Sequence, residues 1–238
     1  MTPLLDRLAQ TGPWRHRAVA EKTLLALGLM ALALALPAWP GAALVLAAAS
    51  TAALAGARIP AGDWLRLHGG PAGFILVAAA AMAIGPDGLD LSTAPALVAL
   101  RALAAVSCLL LLAATTPAPA LVQAARRLGV PAEVAEVALL TWRFLFLLLD
   151  VAVAVRTAQD ARLGWVGWRR SIRSLGLLIG TLLPSALDRA RRLEVGLAAR
   201  GFDGSLRMVS TAKPASALVL AAVAAGELGL AGAALWLT

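Results

Sequence analysis

Two arginines occupy matching positions in the sequence, each at the end of a long run of residues with helical periodicity. Each belongs to an Ala-Arg-X motif, and the two motifs are Ala161-Arg162-Leu163 and Ala199-Arg200-Gly201. A glycine stands within the second motif and one residue beyond the first, as is typical where a helix stops in a left-handed turn. A planar guanidinium at such an end can form two hydrogen bonds to one carboxylate, a geometry that lysine cannot reproduce. The alternative is that Arg162 and Arg200 only complement the negative ends of their helices, which contributes roughly 0.3 to 1 kcal/mol.

The charge of the chain is concentrated around these two motifs. Residues 117–214 hold 14 of the 21 basic residues and 7 of the 13 acidic ones, which leaves 7 and 6 for the rest of the chain. The segment therefore carries +7 of the total net charge of +8. We interpret it as a cytoplasmic region with a task of its own.

The composition of the 238 residues is that of a membrane protein. Hydrophobic residues make up 61% of the chain and charged residues 14%, whereas soluble domains contain about 25% charged residues. Continuous apolar runs rich in alanine and leucine favour thin helices that pack through small side chains, and the short alternating strands of a β-barrel are absent from the sequence. We therefore predict an all-α, polytopic membrane protein with about five transmembrane helices and a cytoplasmic coupling region of two long helices.

Five apolar runs are predicted to cross the membrane. They cover residues 18–36, 42–57, 71–84 (or from residue 64), 94–114 and 215–236. Basic residues precede the first run and follow the second, which places the N-terminus in the cytoplasm under the positive-inside rule, and an odd number of spans places the C-terminus outside. The predicted organisation is therefore residues 1–116 with four transmembrane helices, residues 117–214 as the coupling-helix region and residues 215–238 as the last transmembrane helix.

The region between residues 117 and 214 is predicted to contain two long helices. The first covers residues 132–162, and its apolar part includes Arg143 and Asp150, whose cost inside a bilayer favours a position against the membrane surface or a partner helix. The second begins near Ser174, after a basic and tryptophan-rich connection, and bends at Pro184 because proline blocks a backbone hydrogen bond. Each helix ends at one of the two arginines.

Several kinds of active site are missing from the sequence. The run Gly176-Leu177-Leu178-Ile179-Gly180-Thr181 lacks the lysine of a phosphate-binding loop, so ATP hydrolysis by this chain is not expected. His16, His68 and Cys108 are isolated from one another, which argues against a metal site, and no Ser/His/Asp set forms a hydrolase motif. We therefore expect a non-catalytic chain that binds no cofactor and works with partners that hold the energy source and the substrate.

These residues resemble one family, the transmembrane T component of energy-coupling factor transporters, and within it the cobalt-type branch called CbiQ. The similarity covers most of the chain and is strongest from Trp142-Arg143-Phe144-Leu145-Phe146 through Ala161-Arg162 to Ala198-Ala199-Arg200-Gly201-Phe202-Asp203-Gly204. In that family two coupling helices end in short Ala-Arg-X motifs that dock into grooves on the two subunits of an ATPase pair. The resemblance implies two ATPase-docking sites, formed by Ala161, Arg162 and Leu163 and by Ala199, Arg200 and Gly201. Leu163 departs from the commoner pattern because it stands where the family has a glycine.

The function implied by the resemblance is that of a coupling subunit of an importer in the bacterial cytoplasmic membrane. ATP is bound by two partner ATPase subunits. The apolar helix faces, residues 139–155 and 175–187, are expected to transmit the movement of the ATPase subunits to a substrate-specific membrane subunit. A small accessory membrane subunit is also expected. The cobalt-type branch implies Co²⁺ uptake for cobalamin synthesis, while Ni²⁺ and vitamins stay open as substrates.

One alternative from a different class of protein also stays open. The basic region could belong to a membrane anchoring protein that binds anionic lipid through Arg126, Arg127, Arg169, Arg170 and Arg173. A nucleic-acid partner is not expected, because the basic residues are laid out as membrane-flanking anchors and helix ends.

Overall fold

Nine helices follow one another along the residues described by the computed structural model, which are 4–85, 88–89, 92–201 and 215–237. They are α1 (Leu4–Thr11), α2 (Val19–Ala35), α3 (Ala38–Gly56), α4 (Ala61–Ala83), α5 (Ala94–Thr115), α6 (Ala118–Arg127), α7 (Ala132–Asp160), α8 (Trp168–Ala198) and α9 (Ala217–Trp236). A 3-10 turn, Pro13–His16, lies between α1 and α2, and Ile84–Gly85 pairs with Gly88–Leu89 in a two-residue antiparallel ladder. The predicted all-α class is confirmed.

Prolines mark where many of these helices begin. Pro60 and Pro131 are the residues immediately before α4 and α7, and Pro95 lies in the first turn of α5. Proline is favoured at these positions because its fixed φ suits a helix start and its missing N–H has no helical partner there. The helix starts are therefore set by local chemistry that the sequence displays.

Five helices are long and apolar enough to cross a membrane, the number predicted, but the set differs in one member. By length and composition they are α3, α4, α5, α7 and α9. The predicted first span, α2, has 17 residues. Helix α7 meets the same criteria although Arg143 and Asp150 lie within it, so its predicted position along the membrane surface stays a prediction.

Small residues fill the contact between α2, α3 and α5. Ala33, Ala49 and Ala104 are completely buried, and so are Val45 and Cys108. Side chains of this size allow helix backbones to approach closely, which is how helices associate where the surrounding solvent is itself apolar. The predicted close packing through small residues is confirmed for these three helices, and Cys108 is a core residue.

Polar side chains at the start of α2 tie this helix to its neighbours. The buried Lys22 Nζ donates to the carbonyl oxygens of Trp14 at 3.2 Å and Thr115 at 3.0 Å. The carboxylate of Glu21 accepts a hydrogen bond from the N–H of Ser216 at 2.9 Å. These bonds join the beginning of α2 to the end of α5 and to the residue that precedes α9.

Two further polar contacts join neighbouring helices. Arg101 Nη2 donates to the carbonyl oxygen of Leu36 at 2.6 Å, where α2 ends. Both ring nitrogens of His68 are engaged, one with the carbonyl oxygen of Trp64 at 2.9 Å and one with Ser107 Oγ at 2.8 Å. His68 is therefore a packing residue between α4 and α5.

The described residues divide into two units by their packing. The larger unit contains residues 4–124 and 215–237, and the smaller unit contains residues 125–201. In the smaller unit, buried residues are few: Ala135 and Leu139 in α7 and Ser174 in α8. The predicted limits of the three regions, at residues 116 and 214, stay a prediction.

Three features differ from the sequence prediction or extend it. Helix α8 begins at Trp168, not near Ser174, because Gly167 adopts φ +79° and starts the helix there. Pro184 lies inside this helix, and the bend predicted there stays a prediction. Helix α1 was not predicted, because eight residues give too short a periodic pattern. Asp87 and Asp90, the acidic residues of the outer loop expected at residues 85–90, lie outside the described residues, as do Phe202, Asp203 and Gly204 beyond the second motif.

Candidate functional site

The first arginine lies just beyond the end of α7, and we call residues 161–163 the first tip. Helix α7 ends at Asp160, and Leu163 adopts the left-handed conformation with φ +53°. The Gly164 N–H donates to the Gln159 carbonyl at 2.9 Å, and the Leu163 N–H donates to the Asp160 carbonyl at 3.0 Å. This pair of bonds is the Schellman arrangement, which satisfies carbonyl groups left over at a helix end. Arg162 is the residue immediately before the left-handed one.

The second arginine has the same place at the end of α8, and we call residues 199–201 the second tip. Gly201 adopts φ +70°, and its N–H donates to the Ala198 carbonyl at 3.1 Å. This bond corresponds to the one between Leu163 and Asp160 at the first tip. Arg200 immediately precedes the left-handed residue, as Arg162 does. The two arginines therefore occupy equivalent backbone positions.

This equivalence shows what the third position of the first motif does, where Leu163 stands in place of the family's glycine. From the sequence, Gly164 was the candidate for the left-handed turn, but Leu163 makes it. A left-handed conformation costs a non-glycine residue roughly 1–2 kcal/mol, so the leucine is tolerated at a price in stability. The third position of each motif is thus left-handed, whichever residue occupies it.

The side chains of both tips face solvent. All six residues are exposed, and Leu163 keeps 63% of its surface accessible. Within the described residues neither the Arg162 nor the Arg200 guanidinium makes a hydrogen bond or an ion pair. A guanidinium carries five donors in a planar fork, so each tip presents an unused set that fits a carboxylate.

The first tip is also fixed to the beginning of α8. Ser174, which is 5% exposed, donates through Oγ to the Gly164 carbonyl at 2.8 Å, and Gln159 Nε2 donates to the Ser174 carbonyl at 3.1 Å. A Cβ atom on Gly164 would lie 2.7 Å from Ser174 Oγ and 3.0 Å from the Gln159 carbonyl. Gly164 is therefore required for close packing and not for a left-handed turn.

A cation–π contact lies beside the first tip. The Arg156 guanidinium carbon lies 5.7 Å from the ring centre of Trp165, a distance at which such pairs attract. Sequence reasoning identified neither this contact nor the role of Ser174, because both join residues separated by a turn. The spacing of Gln159, Gly164 and Ser174 gives no periodic signal that would have revealed them.

Apolar side chains of α7 and α8 remain exposed along the segments predicted to transmit movement. In α8 they recur every four residues, at Leu175, Ile179, Leu183 and Leu187, with 47% to 63% of each side chain accessible. In α7, Leu145, Leu149 and Val153 are 41% to 56% accessible. On the same helix, Asp188 and Arg192 form an exposed ion pair at 2.9 Å. Both helices therefore carry apolar stripes available to other surfaces.

A metal centre was not expected in this chain. Among the residues with described positions, no group of three or more His, Cys, Asp or Glu side chains lies close enough to hold a metal ion. The contacts of His68 with Trp64 and Ser107 also use both of its ring nitrogens.

Comparison with known proteins identifies relatives across most of the chain. The family model described as CbiQ, cobalt transport protein, matches residues 12–211. The cobalt transport protein CbiQ of Rhodobacter capsulatus is 48% identical over 223 residues, which cover 91% of this chain and 91% of that protein. The cobalt transport protein CbiQ of Salmonella typhimurium is 34% identical over 224 residues, covering 86% of this chain and 99% of that protein. The putative fused cobalt transport protein CbiMQ of Methanocorpusculum labreanum is 26% identical over 113 residues, or 48% of this chain and 19% of that protein.

Proposed function

The chain belongs to the CbiQ family of cobalt transport proteins, and we propose that it is the coupling subunit of an energy-coupling factor importer. Family membership gives it a role in cobalt transport, and its long apolar helices make it a multi-pass membrane protein. In the proposed role it transmits movement from two ATP-binding subunits to a membrane subunit that binds the substrate. The chain itself carries out no chemical step.

The observation that supports this proposal is the equivalence of the two tips. Arg162 and Arg200 each precede a left-handed residue, and each guanidinium is exposed without an ion pair among the described residues. Helix-end stabilisation alone requires neither an equivalent turn nor an unused donor set. We infer that each arginine inserts into a groove of one ATPase subunit and pairs with a carboxylate there.

We propose that the two tips engage two different subunits. Gly164, the residue after the first tip, is hydrogen bonded to Ser174 near the beginning of α8, and the second tip follows the last residue of that helix. The helix rises by up to about 36 Å between Ser174 and Ala198 at 1.5 Å per residue. When ATP closes the ATPase pair, the distance between its two grooves changes, and α8 with α7 must move in response.

The exposed apolar stripes of α7 and α8 are the surfaces we propose for transmitting this movement. Their partner would be a membrane subunit that binds Co²⁺, together with a small accessory subunit. The name of the fused CbiMQ relative supports a membrane partner, because it describes a CbiQ-like part joined to another in one chain. We place the chain in the bacterial cytoplasmic membrane with its N-terminus inside and its C-terminus outside, as the distribution of basic residues favours.

The experiment that tests the proposal is cobalt uptake by cells whose transporter carries Arg162→Ala and Arg200→Ala. Removing one partner of a desolvated charge pair costs about 2–5 kcal/mol, so each single change should weaken uptake and the double change should abolish it. The control is Arg189→Ala with Arg191→Ala, two exposed α8 arginines whose loss removes the same charge. Wild-type uptake by the tip double variant, or an equal loss in the control, would refute the proposal.

A further inference from the structure

A cavity of about 290 Å³ lies within the larger unit. Its lining comes from the end of α1, the 3-10 turn after it, the segment between α3 and α4, and the end of α5. Three of the lining residues are arginines: Arg7, Arg15 and Arg58. The cavity is large enough for about ten water molecules at roughly 30 Å³ each, so a small ionic group fits.

The lining carries excess positive charge. Asp63 is the acidic residue among the lining residues, and its carboxylate is shared by Arg7 at 3.6 Å and by Arg66 at 3.7 Å. These distances exceed the roughly 2.7–2.9 Å of a charge-assisted hydrogen bond. The Arg7 side chain also remains 59% exposed. The lining thus holds three guanidinium groups and one carboxylate, and a bound anion would balance the excess positive charge.

Arg58 occupies an unfavourable backbone position at the edge of this cavity. Its φ is +53°, in the left-handed region where glycine would close the turn after α3 without steric cost. Within the described residues its guanidinium makes no hydrogen bond or ion pair, so no contact among them depends on its charge. A strained residue whose side chain makes no described contact is a candidate for a role outside the fold itself.

The cavity lies where membrane-crossing helices end. Helix α3 stops at Gly56, α5 at Thr115, and α4 begins at Ala61, all next to the lining. Buried apolar residues Leu8 and Ile59 form part of its wall. This is the basic side of the spans, which the positive-inside rule assigns to the cytoplasmic leaflet, where anionic headgroups concentrate.

We propose that this cavity binds the phosphate diester of an anionic lipid headgroup, held by Arg7 and Arg58 and contacted by Leu8 and Ile59 on its glycerol carbons. A free phosphate ester shares the anionic chemistry but lacks the apolar part that this wall would cover. The inference is independent of the docking proposal, because none of these residues belongs to a tip.

The test is a titration of the purified full chain in non-ionic detergent, read by native mass spectrometry. The three probes are dihexanoyl phosphatidylglycerol, dihexanoyl phosphatidylcholine and glycerol 1-phosphate. We expect phosphatidylglycerol to bind at least about tenfold more tightly than either of the others, since hydrogen bonds to charged groups discriminate on that scale. Equal affinity for glycerol 1-phosphate would overturn the lipid as the source of the phosphate, and equal affinity for phosphatidylcholine would overturn the requirement for an anion.

Variants distinguish this cavity from general attraction to a basic surface. Arg58→Gly removes the guanidinium and suits the left-handed backbone, so it should fold and still lose about tenfold in phosphatidylglycerol affinity. Arg7→Gln should show a similar loss. The matched control is Arg189→Gln with Arg191→Gln, which neutralises two exposed arginines of α8. Unchanged affinity in the Arg58→Gly variant, or an equal loss in the control, would overturn the proposal.

Discussion

Gln159 and Gly164, which flank the first tip, are hydrogen bonded to the helix that follows it, whereas no side-chain hydrogen bond joins residues 199–201 to another described element. Ser174 and Gln159 fix the first turn, and Arg156 lies over Trp165 beside it. At the second tip, Gly201 makes its left-handed turn at no steric cost. The backbone position of the arginine is nevertheless the same in both.

This difference indicates which property of the tips serves docking and which serves the fold. The equivalent placement of Arg162 and Arg200 is obtained with different residues, so the placement is the common requirement. The contacts of Ser174 instead hold the junction between α7 and α8, where one helix must transmit movement to the next. The first tip thus adjoins a joint between α7 and α8, whereas the residues that follow the second tip, 202–214, lie outside the described part of the chain.

Filling the space beside Gly164 should disturb the junction between α7 and α8 without disturbing the second tip, and it should have the largest effect. Gly164→Ala places Cβ against Ser174 Oγ and the Gln159 carbonyl and should destabilise the junction by roughly 1–3 kcal/mol, the usual cost of overpacking. Hydrogen exchange at residues 161–164 should accelerate, with no change at residues 197–201. The control is Gly196→Ala near the second tip, where a Cβ meets nothing within 4 Å. That change should stabilise α8 by about 0.5–1 kcal/mol. Equal hydrogen-exchange rates at residues 161–164 in the two variants would contradict the claim that Gly164 holds the junction between α7 and α8.

Replacing each arginine by lysine should test whether the tips bind in the same way. Arg162→Lys and Arg200→Lys keep the charge that complements the helix end but lose the planar fork. We expect ATPase affinity to fall about tenfold for each variant, which corresponds to roughly 1.4 kcal/mol. Affinity can be measured by titrating the purified ATPase against the chain in detergent. Unchanged affinity in both variants would mean that the two arginines only complement the negative charge of their helix ends.

Exchanging the left-handed residues should give the smallest effect. Leu163→Gly removes a backbone cost and should raise stability by about 1 kcal/mol, whereas Gly201→Leu should lower it by a similar amount. Thermal unfolding in detergent measures both changes. ATPase binding should persist in Leu163→Gly, because the arginine keeps its position. A loss of binding there would mean that the exposed leucine side chain itself contacts the partner.

Much of the fold follows from patterns that the sequence displays. Apolar runs predicted the all-α class and came close to the limits of α5 and α9. The beginning of α8 was placed about six residues late, because the arginines and tryptophans around Trp168 were read as a lipid-facing connection. Their residue types are also compatible with a helix, and a glycine at φ +79° starts it.

The candidate site was only partly accessible to sequence reasoning. The two arginines were found because each ends a periodic pattern, and their docking role stays a prediction. The left-handed Leu163 was missed, since propensity favours the adjacent glycine and the packing of Ser174 against Gly164 decides otherwise. The arginine-lined cavity was missed because it joins residues 7, 15 and 58, whose proximity depends on how α1 and α3 pack.

The most direct measurement of the central claim is copurification of an ATP-hydrolysing partner with the chain in mild detergent. Wild type and the Arg189→Ala/Arg191→Ala control should each retain the ATPase. The Arg162→Ala/Arg200→Ala variant should lose it while keeping the circular dichroism and thermal unfolding of a folded helical protein. An ATPase that stays with this folded variant would show that the two arginines are ordinary helix ends and would contradict the coupling account.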